Sequence, residues 1–388
     1  MIAAGAGLST AADPEAAAEE AAAAAARRLG GARPSLAAAF ASPHHAEGAD
    51  RLLARVHDVA APEAVIGCIG EAVLGGRREV ERAPALSVWM AAFPGPAATF
   101  HLEVLRTAER SVVAGWPPGG EGRVHLLVCD PYTFPADPWL RALEAEEPGA
   151  VVIGGMASGG EPGGTRLFVD RAVVTEGAVG VRLPAGVAVR PLVSQGCRPI
   201  GESYTVTRAE DNILHELGGR PPLERIRELY ASASPHERAL MASGLHIGRA
   251  IDEYKPELGR GDFLIRGVVG ADESSGAIAV GDAIEVGETV RFHIRDADSA
   301  GEDLRHLLAG AAAGASAALL FTCNGRGSRL FPVPDHDATA VSDALGDPPL
   351  AGFFCAGELG PVGGRNFVHG FTASLAIFDV DPAGRPAG

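Results

Sequence analysis

AALLFTCNGRGSRLFPVPDHDATAVSDALGDPPLAGFFCAGELG, residues 317–360, is the stretch on which the fold turns. Ala317 to Cys323 reads as a buried strand, and a loop with Gly325-Arg326-Gly327 follows it. A helix runs from about Asp335 to Leu345, and a second buried strand, Leu350 to Cys355, enters Gly357-Glu358. Strands joined by a helical crossover run parallel, so both loops belong at one end of the sheet. Open α/β sheets take their ligands at that end.

The same grammar recurs twice upstream. Leu36 to Ala41 is a small-residue strand, Ser42-Pro43-His44-His45 a polar loop, Gly48 to Val59 a helix, and Ala64 to Cys68 a strand entering Gly70-Glu71. Val124 to Cys129, a loop to Asp137, a helix around Trp139 to Glu146, and Ala150 to Ile153 entering Gly154-Gly155 make the other. Between these units the alternation of Thr99 to Leu105, Arg166 to Val174, Gly180 to Leu183, Val187 to Val193, Phe263 to Val269 and Thr289 to Ile294 predicts antiparallel hairpins. The fold class expected is α/β (mixed α+β), with helices flanking β-sheets. Residues 13–29 form a helix, with Asp13 as cap, Pro14 in the first turn and Gly30-Gly31 as stop. Its few large apolar side chains predict an appendage outside the core.

At 388 residues the chain exceeds the size at which one core stops growing, so two domains are expected. Gly218-Gly219 and the prolines after it put their boundary at about residue 225. The parts are then residues 1–34 (the helix), 35–225, 226–380, and a tail, 381–388. With 47% hydrophobic residues the chain can bury a large core. A net charge of −16 and the lack of any basic cluster argue against nucleic acid and anionic membrane surfaces as partners. Five widely spaced cysteines without a CxxC pair fit a reducing compartment. No apolar run approaches the ~20 residues that span a bilayer, and the cytoplasm is the expected location.

FTCNGRGSR (321–329), Asp335-His336-Asp337 and GFFCAGELGPVGGRNFVHGFTASLAIF (352–378) closely resemble the C-terminal FIST domain. VIGCIGE (65–71), VIGGMASGG (152–160) and VSQGCRPIG (193–201) resemble the N-terminal FIST domain, in the family's order. The likeness covers roughly residues 35–380. It implies a sensory domain pair for intracellular signal transduction that binds small ligands, amino acids among them. An input module with no attached output is expected, its effector a separate signalling protein.

The densest polar set is Cys323, Asn324, Arg326, Glu358, Arg365, Asn366 and His369, all beside apolar strands of the third unit. Two guanidiniums can hold a carboxylate, and an acid beside them an ammonium, which is minimal equipment for a free amino acid. Arg326 and Arg365 are assigned the carboxylate and Glu358 the amine, with Asn324, Asn366 and His369 completing the site. The competing reading is that the arginines tie down glycine loops through Glu358 and backbone carbonyls. Cys323, at a strand end with His336 and His369 as bases, makes a cysteine-dependent hydrolase or transferase the first alternative function. A protein-interaction adaptor is the second. No cofactor or metal is expected, since the histidines and acids match no ligand spacing.

Overall fold

The computed structural model describes residues 2–107, 111–117, 119–311 and 314–379. Residues 2–193, 304–368 and 372–379 make one unit, and residues 194–303 with 369–371 make another.

The first unit opens with a strand that sequence reading missed, β1 (Ala3–Ser9), whose alanines and glycines give no apolar alternation. Helix α1 (Pro14–Arg28) follows, capped by Asp13, which accepts from the Ala16 amide at 2.9 Å. The expectation that this helix is an appendage is corrected here. Ala17, Ala18, Ala21, Ala22 and Ala25 are completely buried. A Cβ on Gly5 or Gly7 would stand 2.1 Å from the carbonyl oxygens of Ala25 and Ala21, so strand and helix meet backbone to backbone. Small side chains permit that approach and are then sealed from water entirely.

Three segments repeat one plan. In the first, β2 (Leu36–Ala41), α2 (Ala49–Ala60) and β3 (Ala64–Ile69) form the parallel unit. A hairpin, β4 (Ala72–Gly75) and β5 (Arg78–Glu81), follows, and β6 (Leu86–Ala92) returns antiparallel to β2. Beyond β7 (Ala98–Arg106) and β8 (Ser111–Ala114), the second has β9 (Val124–Cys129), α3 (Ala136–Glu146) and β10 (Val151–Met156). Its hairpin is β11 (Leu167–Val169) and β12 (Ala172–Val174), and β13 (Ala178–Arg182) returns to β9. β14 (Val189–Gln195) leads on to the other unit.

That unit is a closed barrel of β15 (Cys197–Glu210), β16 (Ile213–Leu217), β17 (Leu245–Ala250), β18 (Phe263–Ala271), β19 (Ile278–Val280) and β20 (Thr289–Arg295). Helices α4 (Pro222–Ser232) and α5 (Pro235–Ser243) join β16 to β17. Ile247, Phe292, Val290 and Leu214 are in its core. After α6 (Ala297–Ala311) comes the third repeat: β21 (Ala315–Cys323), α7 (His336–Leu345), β22 (Leu350–Cys355), the hairpin β23 (Glu358–Val362) and β24 (Arg365–His369), and β25 (Thr372–Asp379) back along β21.

Each hairpin leaves its own repeat. β4 pairs with β22 of the third, β11 with β3 of the first, and β23 with β10 of the second. The sheets therefore run β1-β6-β2-β3-β11-β12, β24-β23-β10-β9-β13-β7-β8 and β14-β25-β21-β22-β4-β5. Gly67, Gly154 and Gly352 occupy one register in the three repeats, where a Cβ would fall 1.8 Å from the carbonyl oxygens of Ala39, Leu127 and Leu320. Phe40, Trp89, Leu126, Ile153, Phe321 and Phe353 join all three sheets in one core. The helices cover the outer faces: Leu52 and Val56 over the first sheet, Trp139 and Leu143 over the second, Leu308 and Val341 over the third.

This is the mixed α+β class expected, with parallel pairs and antiparallel hairpins. Residue 225, the expected boundary, lies within α4, and the compact barrel unit begins at Ser194.

Candidate functional site

At the end of β21 the chain turns through Cys323-Asn324-Gly325-Arg326 and reaches α7 at Asp335. Arg326, 1% exposed, donates from Nε and Nη2 to the two oxygens of Asp337 at 2.7 and 2.9 Å. The Thr322 hydroxyl adds a bond to Asp337 at 2.7 Å, and His336 Nδ1 lies 2.9 Å from the same carboxylate. Burial alone would raise the Asp337 carboxyl, but the guanidinium outweighs it and holds the group well below the usual carboxylate range. The His336 ring stacks on Phe331, centroids 3.5 Å apart.

Two further carboxyls border this pair and have the opposite character. Glu79, from the visiting β4–β5 hairpin, accepts from the Ala338 amide at 2.9 Å. Burial, then the negative Asp337, push its pKa to about 8. Glu358 is wholly buried and accepts from the Thr372 amide and hydroxyl at 3.0 and 2.8 Å. Burial lifts it to about 8 against those bonds, Arg326 and the adjacent Cys323 thiol. The structure therefore brings Cys323, Arg326 and Glu358 together, as the sequence suggested.

It does not bring Arg365 to them. That side chain is half-exposed on β24 and pairs with Glu144 of α3 at 2.9 Å. The expected two-arginine grip is corrected accordingly, since Arg326 spends Nε and Nη2 on Asp337, an acid that sequence set in the Asp335-His336-Asp337 string but not as its partner. Asn366 is also structural: its Oδ1 accepts from Val152 at 2.9 Å and its Nδ2 donates to the Ala150 carbonyl at 2.7 Å. His369 is buried and belongs to the barrel unit. Asn324 donates its backbone N–H to the Cys355 carbonyl at 2.8 Å and lines a cleft.

The cleft is the feature that sequence reasoning missed. Glu71, Ala72, Glu81, Arg82, Asn324, Arg329 and Phe354 enclose about 20 Å³. Arg329 closes it with a fork onto both oxygens of Glu71, one bond being 3.0 Å, and its Nη1 also reaches the Asn324 carbonyl at 2.8 Å. Glu81 accepts from the Ser328 amide and hydroxyl at 2.9 and 2.7 Å. Glu71 in turn donates its amide to Ser158 Oγ at 2.8 Å, and that hydroxyl donates to the Phe354 carbonyl. Glycine-loop residues of all three repeats meet in these contacts. The signal was present in VIGCIGE and FTCNGRGSR, but not the pairing of their charges.

No helix among the described residues is long and apolar enough to cross a membrane. The family model of the FIST N domain matches residues 35–220, and that of the FIST C domain residues 222–361. The uncharacterized protein Rv0628c of Mycobacterium tuberculosis is 50% identical over 380 residues, 96% of this chain and 99% of the relative. The uncharacterized protein Mb0898c of Mycobacterium bovis is 49% identical over 381 residues, 96% of this chain and 98% of its own.

Proposed function

The chain belongs to the FIST family, a FIST N domain followed by a FIST C domain, and from that premise we propose that it senses a small zwitterionic metabolite of the amino-acid class. FIST domains are regarded as sensory domains of signal transduction. The metabolite is read without being turned over, and a separate effector protein carries the output.

The Arg329–Glu71 pair at the cleft mouth carries this reading. Its side chains are 46% and 40% exposed. Such a pair is worth at most about 1 kcal/mol. A zwitterion can replace each half with its own opposite charge, its carboxylate on Arg329 and its ammonium on Glu71 or Glu81, with Asn324 beside them. The cleft as it stands has room for little more than a water molecule, so the pair parts when the ligand enters. Arg326 and Glu358 lie behind this mouth and hold the loop that presents Arg329, rather than touching the ligand.

A thermal-shift screen of free amino acids and related zwitterions, followed by calorimetry, tests the assignment. A ligand at 100 times its Kd is expected to add about 2.7 kcal/mol of stability. Arg329→Ala and Glu71→Ala should abolish the shift, and Arg365→Ala should leave it intact. A panel without any stabilising zwitterion, or binding that survives Arg329→Ala, defeats the proposal.

A further inference from the structure

The three repeats act as internal controls for one another at the position where the first strand ends. Register equates Ala41, Cys129 and Thr322, which face Leu86, Ala178 and Ala373 on the returning strands, and so equates Ser42, Asp130 and Cys323 one residue on. In the first repeat Ser42 Oγ accepts the amide of the returning strand, from Ala85 at 2.9 Å. In the second, Asp130 accepts from Thr133 and Thr165 at 2.6 Å each, and Thr133 Oγ1 takes the Gly177 amide at 2.9 Å. The third repeat hands this task to Glu358, which takes the Thr372 amide at 3.0 Å. Capping the returning strand therefore does not explain a cysteine at this position.

Its neighbour across the sheet is another cysteine. Cys323 and Cys355 are register partners on the parallel strands β21 and β22. Paired residues in a sheet point to the same face, and adjacent strands stand about 4.8 Å apart. That spacing falls inside the ~4.4–6.8 Å between Cα atoms that a disulfide requires. Both residues are thiols here. Arg326 and Arg329 each lie within electrostatic reach of Cys323. Cys323 is 6% exposed and Cys355 is sealed, so only a small oxidant reaches the pair.

We propose that Cys323 and Cys355 form a redox-active dithiol that a small hydroperoxide oxidises to a disulfide. The Cys323 sulfur attacks the O–O bond of hydrogen peroxide, becomes a sulfenic acid and releases the distal oxygen as water, with the thiol proton. The Cys355 sulfur then displaces the sulfenic hydroxyl, which leaves with the Cys355 proton as a second water. Sulfur gives up two electrons, the peroxide takes them, and one disulfide and two waters result. This chemistry needs no bound metabolite and stands or falls apart from the sensing of zwitterions.

The test uses the full chain, fully reduced, treated with one equivalent of hydrogen peroxide and quenched with an alkylating agent under denaturing conditions. Two of the five thiols should be lost, and peptide mass spectrometry without reductant should show Cys323 joined to Cys355, reversibly with dithiothreitol. Cys323→Ser should keep its remaining thiols, and Cys355→Ala should stop at a sulfenic acid on Cys323 that dimedone traps. Should Cys355→Ala fail to fold, the thiol count and cross-link in the unaltered protein decide alone. Retention of all five thiols, or a disulfide joining any other cysteines, overturns the proposal.

Discussion

Glu358 shows how a single buried side chain imposes a pH dependence on the whole protein. Its pKa of about 8 in the fold exceeds that of an unfolded glutamate, as does that of Glu79. Between about pH 4.5 and 8 the unfolded chain has released these protons and the folded chain keeps them, so stability falls as pH rises. His125, His246 and His293 work the other way, because burial lowers each to about 4. They are neutral in the fold, and their contribution is lost as pH falls from about 6.5. Above that value the acids act without this opposition. The urea midpoint is expected to decline from pH 6.5 to 8, and Glu358→Gln should flatten the decline by about 1 kcal/mol per pH unit. An unchanged slope in that variant would show that Glu358 is already ionised. At this scale sequence named Arg326, Glu358 and Cys323 as neighbours, because all three flank strand ends of one unit. It could not name Asp337 as the partner of Arg326, since nothing in a string of residues tells which way a side chain points from a loop. Arg329 and Glu71 escaped for a related reason: 258 positions separate them, and each alone looks like a solvated surface charge.

Among the elements, the second strand of each repeat depends most heavily on one residue type. A methyl group at Gly67, Gly154 or Gly352 would collide with a carbonyl oxygen of the paired strand, and backbone cannot yield as a flexible side chain can. Gly352→Ala is expected to cost several kcal/mol or to give insoluble protein. Gly310→Ala, in α6 with open space around the new methyl, should instead raise stability by about 1 kcal/mol. Comparable denaturation midpoints for the two would contradict the close approach. The strands themselves were legible, because buried parallel pairs read as short apolar runs bounded by glycine. Helix α1 was legible as a helix and misread in depth. Its burial comes from glycines on β1, a strand with no alternation of large and polar residues to announce it.

Over the whole molecule, the three units of common grammar were visible as sequence, but their exchange of hairpins was not. β4–β5 and β22 are separated by most of the chain, and pairing over such distances leaves no local periodicity. The consequence for fragments is direct. Residues 35–220, the span of the FIST N domain, lack the strand β22 on which β4 pairs and the strand β23 that covers β10. That fragment is expected to show no cooperative thermal transition by circular dichroism, whereas the full chain is expected to melt cooperatively. A sharp transition in the fragment would mean that the loaned hairpins are dispensable.

The circuit of loans runs in one sense, from the first repeat to the third, from the third to the second, and from the second to the first. Every repeat is thus clasped by strands it does not own, in the manner of three interlocked links. A protease that nicks a surface connection severs the chain there without setting any piece loose.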